Sequence, residues 1–280
     1  MVYDFIILRY GEMFLKGKNK SFFERRLISN VQRIISKGDK IPLKIKRTQG
    51  RLLINYFPTH SRLRRVFGLA SYSPSFKVNK SLEEIQRKAV ELLQGKKGTF
   101  RVYTKRSDKS FPVTSLETNA LIGKYVETHS DLIFSMHQPE IALNIEINQE
   151  GAYLFFETIP CSGGLPAGAE GKVVLLVENE TSLLAGLLFM KRGCSLLPVA
   201  FENMNISLLQ EFSPTELQLE IVQNHQELEG LAAKNEISIL VTGQVLEDKN
   251  YKTSLTIMKP LIAYSKKHIQ EQLKWFRSLV

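Results

Sequence analysis

The chain has 280 residues, 43% of them hydrophobic, with 38 Lys plus Arg against 28 Asp plus Glu and a formal net charge of +10. That length supports two or three compact domains and excludes a short peptide, a collagen-like repeat and a disordered tail, while the positive surplus favours a polyanionic partner. The apolar runs at 173–177 and 183–190 are too short to cross a bilayer, the first residues carry no signal-peptide pattern, and Cys161 and Cys194 show no metal or disulfide spacing, so a cytoplasmic protein with no membrane role is expected.

In chain order, residues 5–8 form an apolar strand. Residues 11–20 follow with two glycines, which let backbone N–H groups approach an anion, and with Lys16, Lys18 and Lys20 to neutralise phosphate. Ser21 to Glu24 reads as a capping box that opens a helix. Its inner face is Phe23, Leu27, Val31, Ile34 and Ile35, and its outer face carries Arg25, Arg26, Arg33 and Lys37. Strands at 41–45 and 52–56 flank Gln49-Gly50, a short basic helix covers 61–67, and a strand runs from 72 to 78. The order βαββαβ predicts a ferredoxin-like domain over residues 1–72.

A second unit, 73–166, opens on another capping box at Ser81 to Glu84. A strand at 99–104, a helix near 115–128 and strands at 141–147 and 152–157 complete a compact α/β domain, and 159–171 reads as a linker. Residues 167–280 begin with a strand at 172–177, a helix near 182–191 and a strand at 196–201. Ser213-Pro-Thr-Glu216 predicts a helix reaching about residue 233, residues 236–242 a strand, and Ser265 the start of a final helix. Strands alternating with helices imply a Rossmann-like parallel sheet, so the fold class is mixed α/β and α+β.

Charge is unevenly placed along these segments. Residues 1–72 hold 16 basic and 4 acidic side chains, residues 73–166 hold 11 of each, and residues 167–280 hold 11 basic and 13 acidic. The whole surplus therefore belongs to the first quarter, which is the pattern of a local electrostatic footprint.

Three motifs bear chemistry. The 11–20 segment is one. The second, Thr104 to Phe111, leaves a strand with Lys105, Arg106 and Lys109 to contact phosphate and Phe111 to stack on an unpaired base, as single-stranded RNA is held. The third, Ser162 to Lys172, is glycine-rich, but Pro166 and Val173 stand where a phosphate-binding P-loop needs Gly and Ser or Thr. No GxSxG, HExxH or metal-ligand spacing is present, so no catalytic residue and no metal site are assigned.

Leu8 to Asn19, the Lys105-Arg106 loop, Gly163 to Gly168 with Gly171-Lys172-Val173, Met190 to Gly193 and Val241 to Gly243 together resemble the tRNA 4-thiouridine synthetase (ThiI) family. The resemblance implies a ferredoxin-like domain at 1–72, a THUMP domain at 73–166 and an adenylating PP-loop domain at 167–280, with no rhodanese domain following. It also implies that the first two bind the acceptor stem and CCA end of tRNA. Aligned on Lys172-Val173 and Met190 to Gly193, the family's Ser-Gly-Gly-x-Asp-Ser nucleotide loop falls on Val177, Glu178, Asn179, Glu180, Thr181 and Ser182, where only the last residue matches. Bulky residues obstruct a backbone wrap around phosphate, and Glu178 and Glu180 repel it. The stretch 201–240 is also shorter than in the family, and no Cys follows Cys194, which reads as a core residue.

The expected protein is thus a tRNA-binding relative whose PP-loop is degenerate and which holds no cofactor. The alternative is an active tRNA sulfurtransferase of 4-thiouridine and thiamine biosynthesis, using ATP and Mg2+ in a remodelled site. Beyond tRNA, the partners to consider are a second copy of the chain and a catalytic PP-loop or sulfur-carrier protein.

Overall fold

The computed structural model describes residues 2–11, 19–37, 43–48, 50–248 and 251–280. The chain begins β1 (Phe5–Arg9), α1 (Lys20–Ile35), β2 (Ile45–Thr48), β3 (Arg51–Asn55), a 3-10 turn (His60–Arg65) and β4 (Ser71–Val78). It continues α2 (Leu82–Leu93), β5 (Thr99–Arg106), α3 (Ser115–Thr128), β6 (Ile133–Phe134), β7 (Ile141–Asn148), β8 (Gly151–Phe155) and β9 (Ile159–Pro160). The last part is β10 (Lys172–Leu176), α4 (Glu180–Lys191), β11 (Ser195–Ala200), α5 (Ser207–Phe212), β12 (Glu220–Ile221), α6 (His225–Lys234), β13 (Ile239–Val241), β14 (Thr256–Met258) and α7 (Lys266–Arg277). Two compact units result, and they do not follow chain order. Residues 1–9, 43–58 and 71–159 make the first; residues 10–42, 59–70 and 160–280 make the second.

In the first unit one sheet runs β2-β3-β1-β4-β8-β7-β5-β6, antiparallel as far as β7 and parallel from β7 through β5 to β6. Strand alternation sorts its residues between two faces. Phe76, Phe100, Val102, Leu143, Ile145 and Leu154 turn inward and form a core with Ile85, Ala89 and Leu92 of α2 and Ile122 and Val126 of α3. On the opposite face Ile7, Leu53, Tyr153 and Phe155 make a smaller apolar cluster. Both helices start where side chains satisfy orphan backbone amides. Ser81 Oγ accepts from the Glu84 amide at 3.1 Å, and Thr114 and Glu117 close a reciprocal capping box.

The second unit carries a five-stranded sheet, β12-β11-β10-β13-β14, in which every pair is parallel. One face packs on α4, α5 and α7 through Leu184, Leu187, Leu209, Phe212, Ile269, Leu273 and Phe276; the other packs on α6 through Leu228 and Ala232. Phe67, just after the 3-10 turn, joins the first of these cores, with its ring 5.6 Å from Phe212 and 6.3 Å from Phe276. Arg62 donates to the Ile35 and Lys37 carbonyls at the end of α1, and Arg65 donates to the Leu279 carbonyl at 3.0 Å. Among the described residues no helix is long and apolar enough to cross a membrane.

Ser21 does not cap α1: the helix already runs at Lys20, Asn19 is its N-cap without a side-chain bond, and Glu24 accepts from the Tyr10 hydroxyl instead. Ser213 opens no helix. It stands extended before Pro214, as a residue before proline prefers, and its hydroxyl closes a turn on the Thr215 carbonyl at 2.7 Å. The helix expected there starts eleven residues later, at Asn224, whose side chain accepts from the Glu227 amide at 3.0 Å.

Candidate nucleic-acid interface

The 104–111 segment is built from the end of β5. Arg106 turns back so that Nη1 donates to the Phe111 carbonyl at 2.6 Å and the Val113 carbonyl at 3.0 Å. Asp108 accepts from Lys80 and from the Ser110 amide at 2.9 Å. Those hydrogen bonds, Lys80's first, hold its carboxyl down to about 2. Arg106, Lys80 and Asp108 thereby fold the loop, and Lys105 and Lys109 project from it exposed. Phe111 does not project with them. Its ring is 1% exposed in the core beside Ile85 and Ile122, so it anchors the loop by burial and offers no surface to a base.

Beside the loop, on the sheet face away from α2 and α3, lies a charged cluster. Glu146 of β7, 9% exposed, accepts from Arg9 Nε at 2.8 Å and from Arg51 Nε at 3.2 Å, and forms an ion pair with Arg9 Nη2 at 2.7 Å. The Arg9 guanidinium also lies 4.9 Å from the Phe155 ring centroid. Register places Lys105 directly opposite Glu146 on the neighbouring strand. Three cations thus face one carboxylate, which leaves this face positive. Sequence could not pair Arg9 or Arg51 with Glu146, because they stand 137 and 95 residues away from it.

Of the other expected phosphate contacts, Lys16 and Lys18 lie outside the described residues. Lys20, Arg25 and Arg26 belong to α1 in the second unit. Lys20 stands 3.8 Å from Glu24, and Arg25 is exposed. Arg26 is half-buried and lines a cleft of about 690 Å³ with Arg33, Lys172, Lys234, Cys194 and Glu216.

The Val177 to Ser182 loop leaves the C-terminal end of β10, the central strand, beside the crossover to β13. In doubly wound sheets this is where a ligand is held. Here the loop is closed by its own side chains. Asn179 Oδ1 accepts from the Thr181 amide at 2.9 Å and the Ser182 amide at 3.2 Å, so the first amides of α4 already have an acceptor. Ser182 Oγ accepts from the Glu178 amide at 3.2 Å. Gly243 presses against the same turn: a Cβ there would stand 2.4 Å from the Ser182 nitrogen. Of the two carboxylates, Glu180 pairs with Arg277 at 2.6 Å, whereas Glu178 meets the neutral Tyr251 hydroxyl.

Neither cysteine is primed as a nucleophile. Burial pushes the Cys161 thiol up to about 12, and burial followed by the nearby Glu170 raises Cys194.

Residues 5–73 match the ThiI ferredoxin-like domain, and residues 79–157 match the THUMP domain. A probable tRNA sulfurtransferase of Brevibacillus brevis is 38% identical over 213 residues, 72% of this chain and 53% of that protein. One from Lactobacillus delbrueckii subsp. bulgaricus is 35% identical over 242 residues, 84% of this chain and 57% of that protein. The chain spans little more than half the length of these curated relatives. Among solved structures, PH1313 from Pyrococcus horikoshii aligns with a TM-score of 0.85 at 28% identity, over 98% of this chain and 99% of that one. A 4-thiouridine synthetase in complex with RNA and bound ATP aligns with a TM-score of 0.81 at 26% identity, over 99% of this chain and 86% of that one.

Proposed function

The chain belongs to the ThiI family through its ferredoxin-like and THUMP domains, and from that premise we propose that it binds tRNA and that its third portion, residues 167–280, no longer takes up ATP. Residues 1–72 and 73–166 would serve as the binding portions, with contacts to the acceptor stem and the CCA end. Lys105 and Lys109, standing free beside a face where Arg9, Arg51 and Lys105 outnumber Glu146, supply point charges for phosphate oxygens.

One observation carries the second half of the reading: the Asn179 carboxamide on the Thr181 and Ser182 amides. Those amides, at the start of a helix and at the switch point of the sheet, are the donors that a nucleotide phosphate would need. A phosphate would have to displace Asn179 and then sit near Glu178, whose partner among the described residues is the neutral Tyr251 hydroxyl. Like charges about 4 Å apart repel by about 4 kcal/mol at an effective dielectric near 20. The raised thiols of Cys161 and Cys194 also disfavour sulfur transfer by this chain. A protein of this kind would present tRNA to a catalytic PP-loop or sulfur-carrier partner, as a monomer or as a homodimer.

A second reading, an active tRNA sulfurtransferase of 4-thiouridine or thiamine biosynthesis, draws on the likeness over 99% of the chain to the RNA complex that holds ATP. Two titrations separate them. On the first reading tRNA binds with an affinity that falls steeply with salt, and ATP with Mg2+ gives no heat of binding. Saturable ATP binding would favour the second.

A further inference from the structure

Strand β5 carries more than the loop at its end. Its alternate residues Phe100 and Val102 enter the core, so Arg101, Tyr103 and Lys105 fall on the opposite face of the sheet, the face that α2 and α3 leave uncovered. Tyr103 is 37% exposed there. Arg101 Nη1 donates to the Met136 carbonyl at 2.6 Å, which holds its guanidinium 4.8 Å from the Tyr103 ring centroid. On β7 the register sets Asn144 beside Tyr103 and Glu146 beside Lys105. Among the described residues the Asn144 carboxamide nitrogen makes only long contacts, 3.4 Å to the Ala142 and Phe156 carbonyls, so it is available to a stronger acceptor.

Cation, ring, cation at a two-residue spacing on an open sheet face matches the chemistry of an unpaired nucleotide. Tyrosine rings and guanidinium planes stack on bases, and lysine neutralises the adjoining phosphate. We propose that Arg101, Tyr103 and Lys105 form a stacking platform for an unpaired RNA base, with Asn144 placed to reach the base edge. The proposal rests on the RNA-binding reading above and replaces Phe111 as the ring that meets RNA. Tyr103 is exposed and lies outside the cores described above, so its ring can be removed without opening them.

The test compares Tyr103→Ala and Tyr103→Phe with the unaltered protein, using a single-stranded RNA oligomer and a blunt RNA duplex as probes at one salt concentration. Tyr103→Ala should weaken oligomer binding about tenfold, Tyr103→Phe should retain it, and duplex affinity should stay within about twofold for both. Unchanged oligomer affinity in Tyr103→Ala would overturn the platform, as would an equal loss on oligomer and duplex. Failure of the unaltered protein to bind either RNA would overturn the RNA-binding reading itself, and the platform with it. Circular dichroism of both variants checks that the fold is kept.

Discussion

Lys105 and Arg106 are neighbours held in different ways. Lys105 ends in solvent, whereas Arg106 ends on two carbonyls of its own loop. Lys105→Glu should therefore leave thermal stability nearly unchanged, weaken tRNA binding and lower the slope of log K against log salt by about one. Arg106→Ala should lower the melting temperature as well, because hydrogen bonds from a charged donor contribute about 1.5–3 kcal/mol each. Asp108 adds a pH dependence. Its carboxyl is held at about 2, below the ordinary 3.8, so the stability it contributes is present above pH 3.8 and is lost as pH falls toward 2. In Asp108→Asn, acid unfolding curves should lose the part of their pH dependence that lies in that window. At this scale the sequence was partly legible. The cations of the loop could be read from their spacing, but whether a ring such as Phe111 points outward or inward depends on α2 and α3, which pack from elsewhere in the chain.

At the scale of elements, the start of α4 bears on both stability and the proposed loss of nucleotide binding. Asn179→Ala removes the acceptor for two amides and should destabilise the protein by about 1 kcal/mol in denaturant unfolding. Gly243→Ala would drive a Cβ to 2.4 Å from the Ser182 backbone nitrogen, and the turn must move to make room. Its cost should be larger, about 1–3 kcal/mol, as for other overpacked sites. Elements with strong local signals were readable. Ser81 and Ser265 cap their helices as expected, and α3 covers residues 115–128. Ser213 and Asn224 both precede an acidic residue three places on and both are extended, so local signals do not separate them; the Ser213 hydroxyl turns to the Thr215 carbonyl, whereas the Asn224 side chain accepts from the Glu227 amide. The strands β6, β12 and β14 have two or three residues each, too few to show a period.

Across the whole chain, the basic surplus of residues 1–72 is divided between tasks. Arg9 and Arg51 hold Glu146, Lys46 pairs with Glu150, and Lys37, Arg62 and Arg65 donate to carbonyls in the second unit. Part of the positive charge is thus architectural, which no count along the sequence could reveal. Glu146→Gln would leave Arg9 and Arg51 without a carboxylate in a mostly buried setting and should cost about 3–5 kcal/mol, read as a drop in the denaturation midpoint. On the proposed reading the remaining cations are the ones left to meet tRNA, and the carboxylates Glu178 and Glu180 and the Asn179 cap stand where a nucleotide would otherwise be held. The most direct measurement of that division is pyrophosphate release by the purified protein with ATP, Mg2+ and saturating tRNA. None above the protein-free blank is expected, and sustained release that depends on tRNA would contradict the loss of the nucleotide site.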